Sequence, residues 1–127
     1  MLTVEQEEWL TALESGNYKQ AIGYLEKAGA YCCLGVACSL DSTVTRELIG
    51  DIGVYDSEED CLPDHVYERL GLNDSTGGFD PALVKEEYQE RIWGLDEYAL
   101  SVMNDAGWIF SEIAAFIRAN PGAVFNA

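Results

Sequence analysis

The segment from Cys33 to Leu40 constrains this chain more than any other, because it is apolar on nearly every side and only Gly35 and Ser39 interrupt it. A helix without a polar face cannot lie on a surface. The segment therefore predicts a central buried helix, with Leu34, Val36 and Leu40 in the core. The rest of the chain has to wrap it. A length of 127 residues suits one domain over residues 1–127 and can bury a core without disulfide or metal staples.

The flanking patterns supply the wrapping. Thr3 and Gln6 fit a reciprocal capping pair, and Trp9, Leu10 and Leu13 form an apolar stripe at helical spacing that stops at Gly16-Asn17. Residues 18–31 predict two short strands around a turn at Lys27-Ala28-Gly29. Residues 41–53 fit no single pattern. Pro63 opens a helix with Val66, Tyr67 and Leu70 inward, closed by Gly71. Asp80-Pro81 starts another, with Val84, Tyr88 and Ile92 as its inner stripe. Asp96 is placed to cap a short segment holding Leu100 and Met103. The last helix runs from Phe110 to Ala119, and Asn120-Pro121-Gly122 ends it. The expected fold is α+β and mostly helical: about five helices around a central buried helix, with one small β-hairpin.

Charge limits the partners. Seven Lys and Arg face 23 Asp and Glu, for a net charge of −16. Such a field repels nucleic acid and anionic membranes, whose binding depends on cationic side chains, and it attracts basic surfaces. Two clusters are dense enough to imitate a row of phosphates. One is the run Asp56, Glu58, Glu59 and Asp60, expected as a surface loop; the other is the helix face Glu86, Glu87 and Glu90. The start of the chain, with Glu5, Glu7 and Glu8, does not read as a secretory signal, and no apolar stretch is long enough for a membrane span. Cys32, Cys33, Cys38 and Cys61 are accordingly expected as free thiols in a reducing cytosol.

Other chemistry fares less well. Cys32 and Cys33 open an apolar helix, a place where a thiol can be activated, but His65 is the only histidine available as a base. Cys33-x4-Cys38 and Cys61-x3-His65 could supply zinc ligands, although the spacings are not those of tight knuckles. Residues 105–114 look like the first half of a helix-turn-helix with no recognition helix after it. Gly77-Gly78 lacks the strand and lysine of a phosphate loop. No catalytic, cofactor-binding or metal residue is assigned.

The motif Tyr31-Cys32-Cys33-Leu34-Gly35-Val36, with Leu62-Pro63-Asp64, Leu70-Gly71-Leu72, Asn104-Asp105-Ala106-Gly107, Phe110 and Glu112-Ile113-Ala114, resembles a group of small uncharacterised proteins encoded by bacteriophages and prophages. Two positions depart from that group. Ile109 stands where relatives carry a Ser or Thr that could cap the last helix, and His65 stands where an acidic residue is usual. The resemblance implies a phage setting and a fold type and brings no functional residue with it.

The expected function is a phage-encoded acidic interaction protein in the host cytosol. It docks on a basic, nucleic-acid-handling host or defence protein and blocks it, without binding nucleic acid, membrane or cofactor itself. The alternatives are a small cysteine-dependent enzyme at Cys32 or Cys33, or a module that binds a small molecule between its helices.

Overall fold

A methyl group placed on the Cα of Gly35 would sit 1.7 Å from the carbonyl oxygen of Leu25. In this computed structural model, which describes residues 2–126, that approach seats the central helix α2 (Cys33–Leu40) directly on the backbone before strand β1 (Glu26–Lys27). Only glycine permits it, which gives the Cys-Cys-Leu-Gly-Val motif its physical reason. The burial of α2 follows the sequence expectation from Cys33 to Cys38. Leu40 does not: it is 38% exposed, because the helix emerges from the core in its last turn.

The other helices are α1 (Val4–Glu14), α3 (Asp64–Leu70), α4 (Glu86–Ile92), α5 (Leu100–Asp105), α6 (Phe110–Ala119) and α7 (Pro121–Val124), of which α1 and α5 pack most closely on α2. The fold is α+β and helix-rich, with seven α-helices among the described residues. The capping pair forms as expected: Gln6 N–H donates to Thr3 Oγ1 at 3.1 Å, and Thr3 N–H donates to Gln6 Oε1 at 2.9 Å. Trp9, Leu10 and Leu13 are buried. Among the described residues no helix is long and apolar enough to cross a membrane.

Strand β1 pairs antiparallel with β2 (Ala30–Tyr31) across the Ala28-Gly29 turn, which is the expected hairpin. The ambiguous stretch supplies a second one, β3 (Arg46–Ile49) and β4 (Ile52–Tyr55). The two hairpins join through β1 and β4 into one sheet of order β2-β1-β4-β3. All of β3 faces water, so its sequence never alternates apolar with polar and gives no strand signal.

Three expected boundaries move, each because backbone groups find other partners. The helix expected from Asp80 is split into a single 3-10 turn, Pro81–Leu83, and α4. The buried Asn120 accepts from Lys85 N–H at 2.7 Å, and Gln89 donates to the Pro81 and Val84 carbonyls, which holds Val84 extended. Asp96 caps nothing. Helix α5 begins at Leu100, whose N–H donates to Gly77 O while that of Ser101 donates to Thr76 O, so a nearby loop satisfies the first turn. After Asn120 the chain enters one more turn, α7, with Pro121 at its first position.

The Asn104-Asp105-Ala106-Gly107 motif is a fastening point. Buried Asn104 accepts from Cys33 N–H at 3.1 Å and from Gln20 Nε2 at 2.8 Å, and donates to Ala21 O at 2.8 Å. Gln20 in turn accepts from Phe110 N–H at 3.1 Å, while Glu112 accepts from Ile109 N–H at 3.1 Å. These two side chains serve the start of α6, where Ile109 provides no cap of its own.

Candidate functional site

The acidic run after β4 is less free than a surface loop. Asp56 and Ser57 both have positive φ, 48° and 73°, in a two-residue turn closed by Tyr55 N–H to Glu58 O at 2.8 Å and Glu58 N–H to Tyr55 O at 2.9 Å. Asp56 accepts from Thr45 N–H at 2.7 Å and lies 3.3 Å from His65 Nε2. Glu58 accepts from the Cys61 thiol at 2.8 Å. Glu59 and Asp60 remain exposed side chains, with the Glu59 carbonyl bonded to Leu25 N–H at 2.7 Å.

The second cluster is different. Helix α4 is fastened by buried Ile92, by the edge of Tyr88 against Phe116, and by Arg91, which lies 3.9 Å over the Trp108 ring and 3.1 Å from Glu112. Its outer side carries Glu86, Glu87 and Glu90, all exposed. Just beyond the helix stands Trp93, 80% exposed, the most exposed of the large apolar side chains. Spacings of three and four residues put Glu86, Gln89, Glu90 and Trp93 on one side, where they line a shallow concavity of about 380 Å³. The two acidic clusters thus rest on different supports, one on the sheet and one on α4. Sequence reasoning missed Trp93. The signal was there: it falls outside the Val84, Tyr88 and Ile92 stripe, so a tryptophan stands where no core needs one.

The arginines are engaged internally. Arg46 pairs with Glu26, Arg69 with Asp41, Arg91 with Glu112, and Arg118 with both Glu7 and Glu14. Lys27 lies 5.0 Å over the Tyr24 ring. All four arginines are therefore occupied with five of the 23 carboxylates, and no other carboxylate is paired with an arginine among the described residues.

The thiols are arranged for packing. Cys32 caps α2, its sulfur accepting from Gly35 N–H at 3.4 Å, yet it is only 5% exposed and burial pushes its pKa up to about 11. Burial also raises Cys33 and Cys38 well above the ordinary thiol range. Cys61 is pushed up to about 11, first by burial and then by its bond to Glu58. Thiols with raised pKa values stay protonated near neutrality and are poor nucleophiles and poor metal ligands. His65 faces Asp56, not Cys32. No group of three or more His, Cys, Asp or Glu is placed to hold a metal ion among the described residues.

A family model described as Domain of unknown function (DUF8296) matches residues 1–121. The chain belongs to this family. No curated protein and no solved structure matches it. The family match covers the Cys-Cys-Leu-Gly-Val motif, Asn104 and all of α4, and every element described above except α7 lies inside it.

Proposed function

We propose that this is a phage-encoded acidic interaction protein of the host cytosol. It docks on a basic, nucleic-acid-handling host or defence protein and blocks it, with α4 as the contact face. The observation that carries this reading is Trp93 standing exposed beside Glu86 and Glu90 in a chain whose arginines are all engaged internally. Exposed tryptophans are typical energetic anchors of interfaces, and a ring of carboxylates around one selects a cationic partner. The α4 face is favoured over Asp56, Glu58, Glu59 and Asp60 because Asp56 and Glu58 already hold internal partners. Burial of Cys32 and Cys33 speaks against the cysteine-enzyme alternative.

The test is capture from a bacterial host lysate with the wild type and two variants, each partner being identified by mass spectrometry. One variant carries E86Q, E87Q, E90Q and W93A; the other neutralises Asp56, Glu58, Glu59 and Asp60. The expected partner is basic, is displaced by competing DNA and is lost on the α4 variant. Its complex weakens steeply with salt, since the Debye length falls from about 10 Å at 0.1 M to about 3 Å at 1 M. A partner that survives 1 M salt, ignores DNA and tolerates both variants overturns the proposal.

A further inference from the structure

Helices α1, α2 and α3 enclose a groove of about 110 Å³ on a different part of the surface from the α4 face. Its floor is apolar: Trp9, Ala37, Val66 and Leu70 are all buried. The Trp9 indole N–H is already satisfied within the core, donating to Cys33 O at 2.9 Å. Two aliphatic side chains stand unshielded on its rim, Val4 at 74% exposure and Leu40 at 38%.

The groove is built rigidly. Buried Gln6 ties α1 to α3 through a hydrogen bond to Leu70 O at 2.8 Å, and the Trp9 bond ties α1 to α2. Such a site loses little freedom when filled. Its size identifies the filler. Small-molecule sites run from about 300 to about 1,000 Å³, whereas an apolar cavity of about 150 Å³ holds one benzene. A volume of 110 Å³ therefore suits a single aliphatic or aromatic side chain.

Charge identifies what surrounds that side chain. Glu5 and Glu8, one helical turn apart, border the groove and have no ion-pair partner among the described residues. Asp41 on the opposite border is already held by Thr43 and Arg69. The uncompensated charge at the groove is thus the glutamate pair.

We infer that the groove between α1, α2 and α3 receives one apolar side chain from a basic peptide segment of a partner protein, with Lys or Arg beside that side chain meeting Glu5 and Glu8. The inference deepens the docking proposal and rests on it for the class of partner.

The experiment follows backbone amide signals of the full chain by NMR while adding acetylated, amidated pentapeptides. The probes are Lys-Lys-Leu-Lys-Lys, Lys-Lys-Ser-Lys-Lys and Glu-Glu-Leu-Glu-Glu. The leucine–lysine peptide is expected to shift amides of residues 4–9, 37–41 and 66–70 saturably. Replacing its leucine by serine weakens binding by at least about tenfold, the loss expected for one leucine left unburied. The acidic peptide leaves these signals unmoved. An E5Q/E8Q variant binds the leucine–lysine peptide about three- to tenfold more weakly with unchanged melting temperature, and V4N/L40N also loses affinity while its amide spectrum stays that of the folded chain. Equal binding of the leucine and serine peptides, indifference to E5Q/E8Q, or shifts confined to residues 86–93 would each overturn the inference. The last of these leaves the α4 docking proposal standing. Loss of lysate capture on the α4 variant tests that proposal without reference to the groove.

Discussion

Arg46 grips Glu26 with two parallel hydrogen bonds, Nε to Oε1 at 2.7 Å and Nη2 to Oε2 at 2.6 Å. Tyr55 Oη adds a third at 2.6 Å, so the carboxylate joins one hairpin to the other. Gly53 makes room for it, since a Cβ there would lie 2.3 Å from Glu26 Oε1. Glu26 is 3% exposed while the Arg46 side chain is 45% exposed, so the two partners are not equivalent. Arg46→Met strands a buried carboxylate and is expected to cost about 3–5 kcal/mol. Glu26→Gln leaves Arg46 able to reach water and should cost less, about 1–3 kcal/mol.

The same pair sets a pH dependence. The Arg46 bonds hold the Glu26 carboxyl below its ordinary 4.5, against the opposing effect of burial. The unfolded chain therefore takes up this proton first as pH falls. Stability from the pair is complete above the unfolded value and is lost as pH drops through the lower folded one. Urea midpoints of wild type and E26Q should thus keep a constant gap above the ordinary carboxyl value of 4.5 and converge as the pH falls below it. A gap that stays constant below it as well would show that Arg46 does not hold the carboxylate.

Gly35→Ala should be among the most damaging single substitutions available. The added methyl meets backbone, Leu25 O at 1.7 Å, so no side chain can swing aside to admit it. A loss of about 3 kcal/mol or more is expected in chemical denaturation. Near-normal stability would mean that α2 does not rest on residue 25.

Two leucines on α2 should behave oppositely. Leu34 is completely buried, and Leu34→Ala should cost about 2–5 kcal/mol. Leu40 reaches the surface, and Leu40→Ala should cost about 1 kcal/mol or less. Equal losses in thermal or urea unfolding would contradict this burial pattern.

Thiol labelling should be ordered. Cys61 is only partly buried, so it is expected to react first with a thiol reagent in the native state, while Cys32, Cys33 and Cys38 wait for unfolding. Its reaction should still be slow at about pH 8, because a raised pKa leaves little thiolate. Glu58→Gln removes one cause of that elevation and should speed labelling. Rapid native labelling of Cys32 would reopen the nucleophile reading.

The elements legible in the sequence were those with a strong local signal. The Thr3–Gln6 cap, the Trp9–Leu13 stripe, the Ala28-Gly29 turn and the apolar run of α2 each write their structure into neighbouring residues. What escaped depends on distant partners. The split before α4 is made by Asn120, 35 positions beyond Lys85. The start of α5 is satisfied by carbonyls of residues 76 and 77. The acidic clusters could be read from composition, but ranking them required seeing that Asp56 is bonded to Thr45 and that Trp93 stands alone in water.

Gln20 and Phe110 hydrogen-bond across 90 residues of chain, and α1 packs chiefly on α6. A ribosome adding about 5–20 residues per second needs roughly 5–20 s to cover that interval. Throughout it the Trp9, Leu10 and Leu13 stripe stands synthesised without the α6 surface that covers it. The nascent chain thus offers a sticky apolar segment to holding chaperones for seconds, and its core closes only once α6 has cleared the exit tunnel.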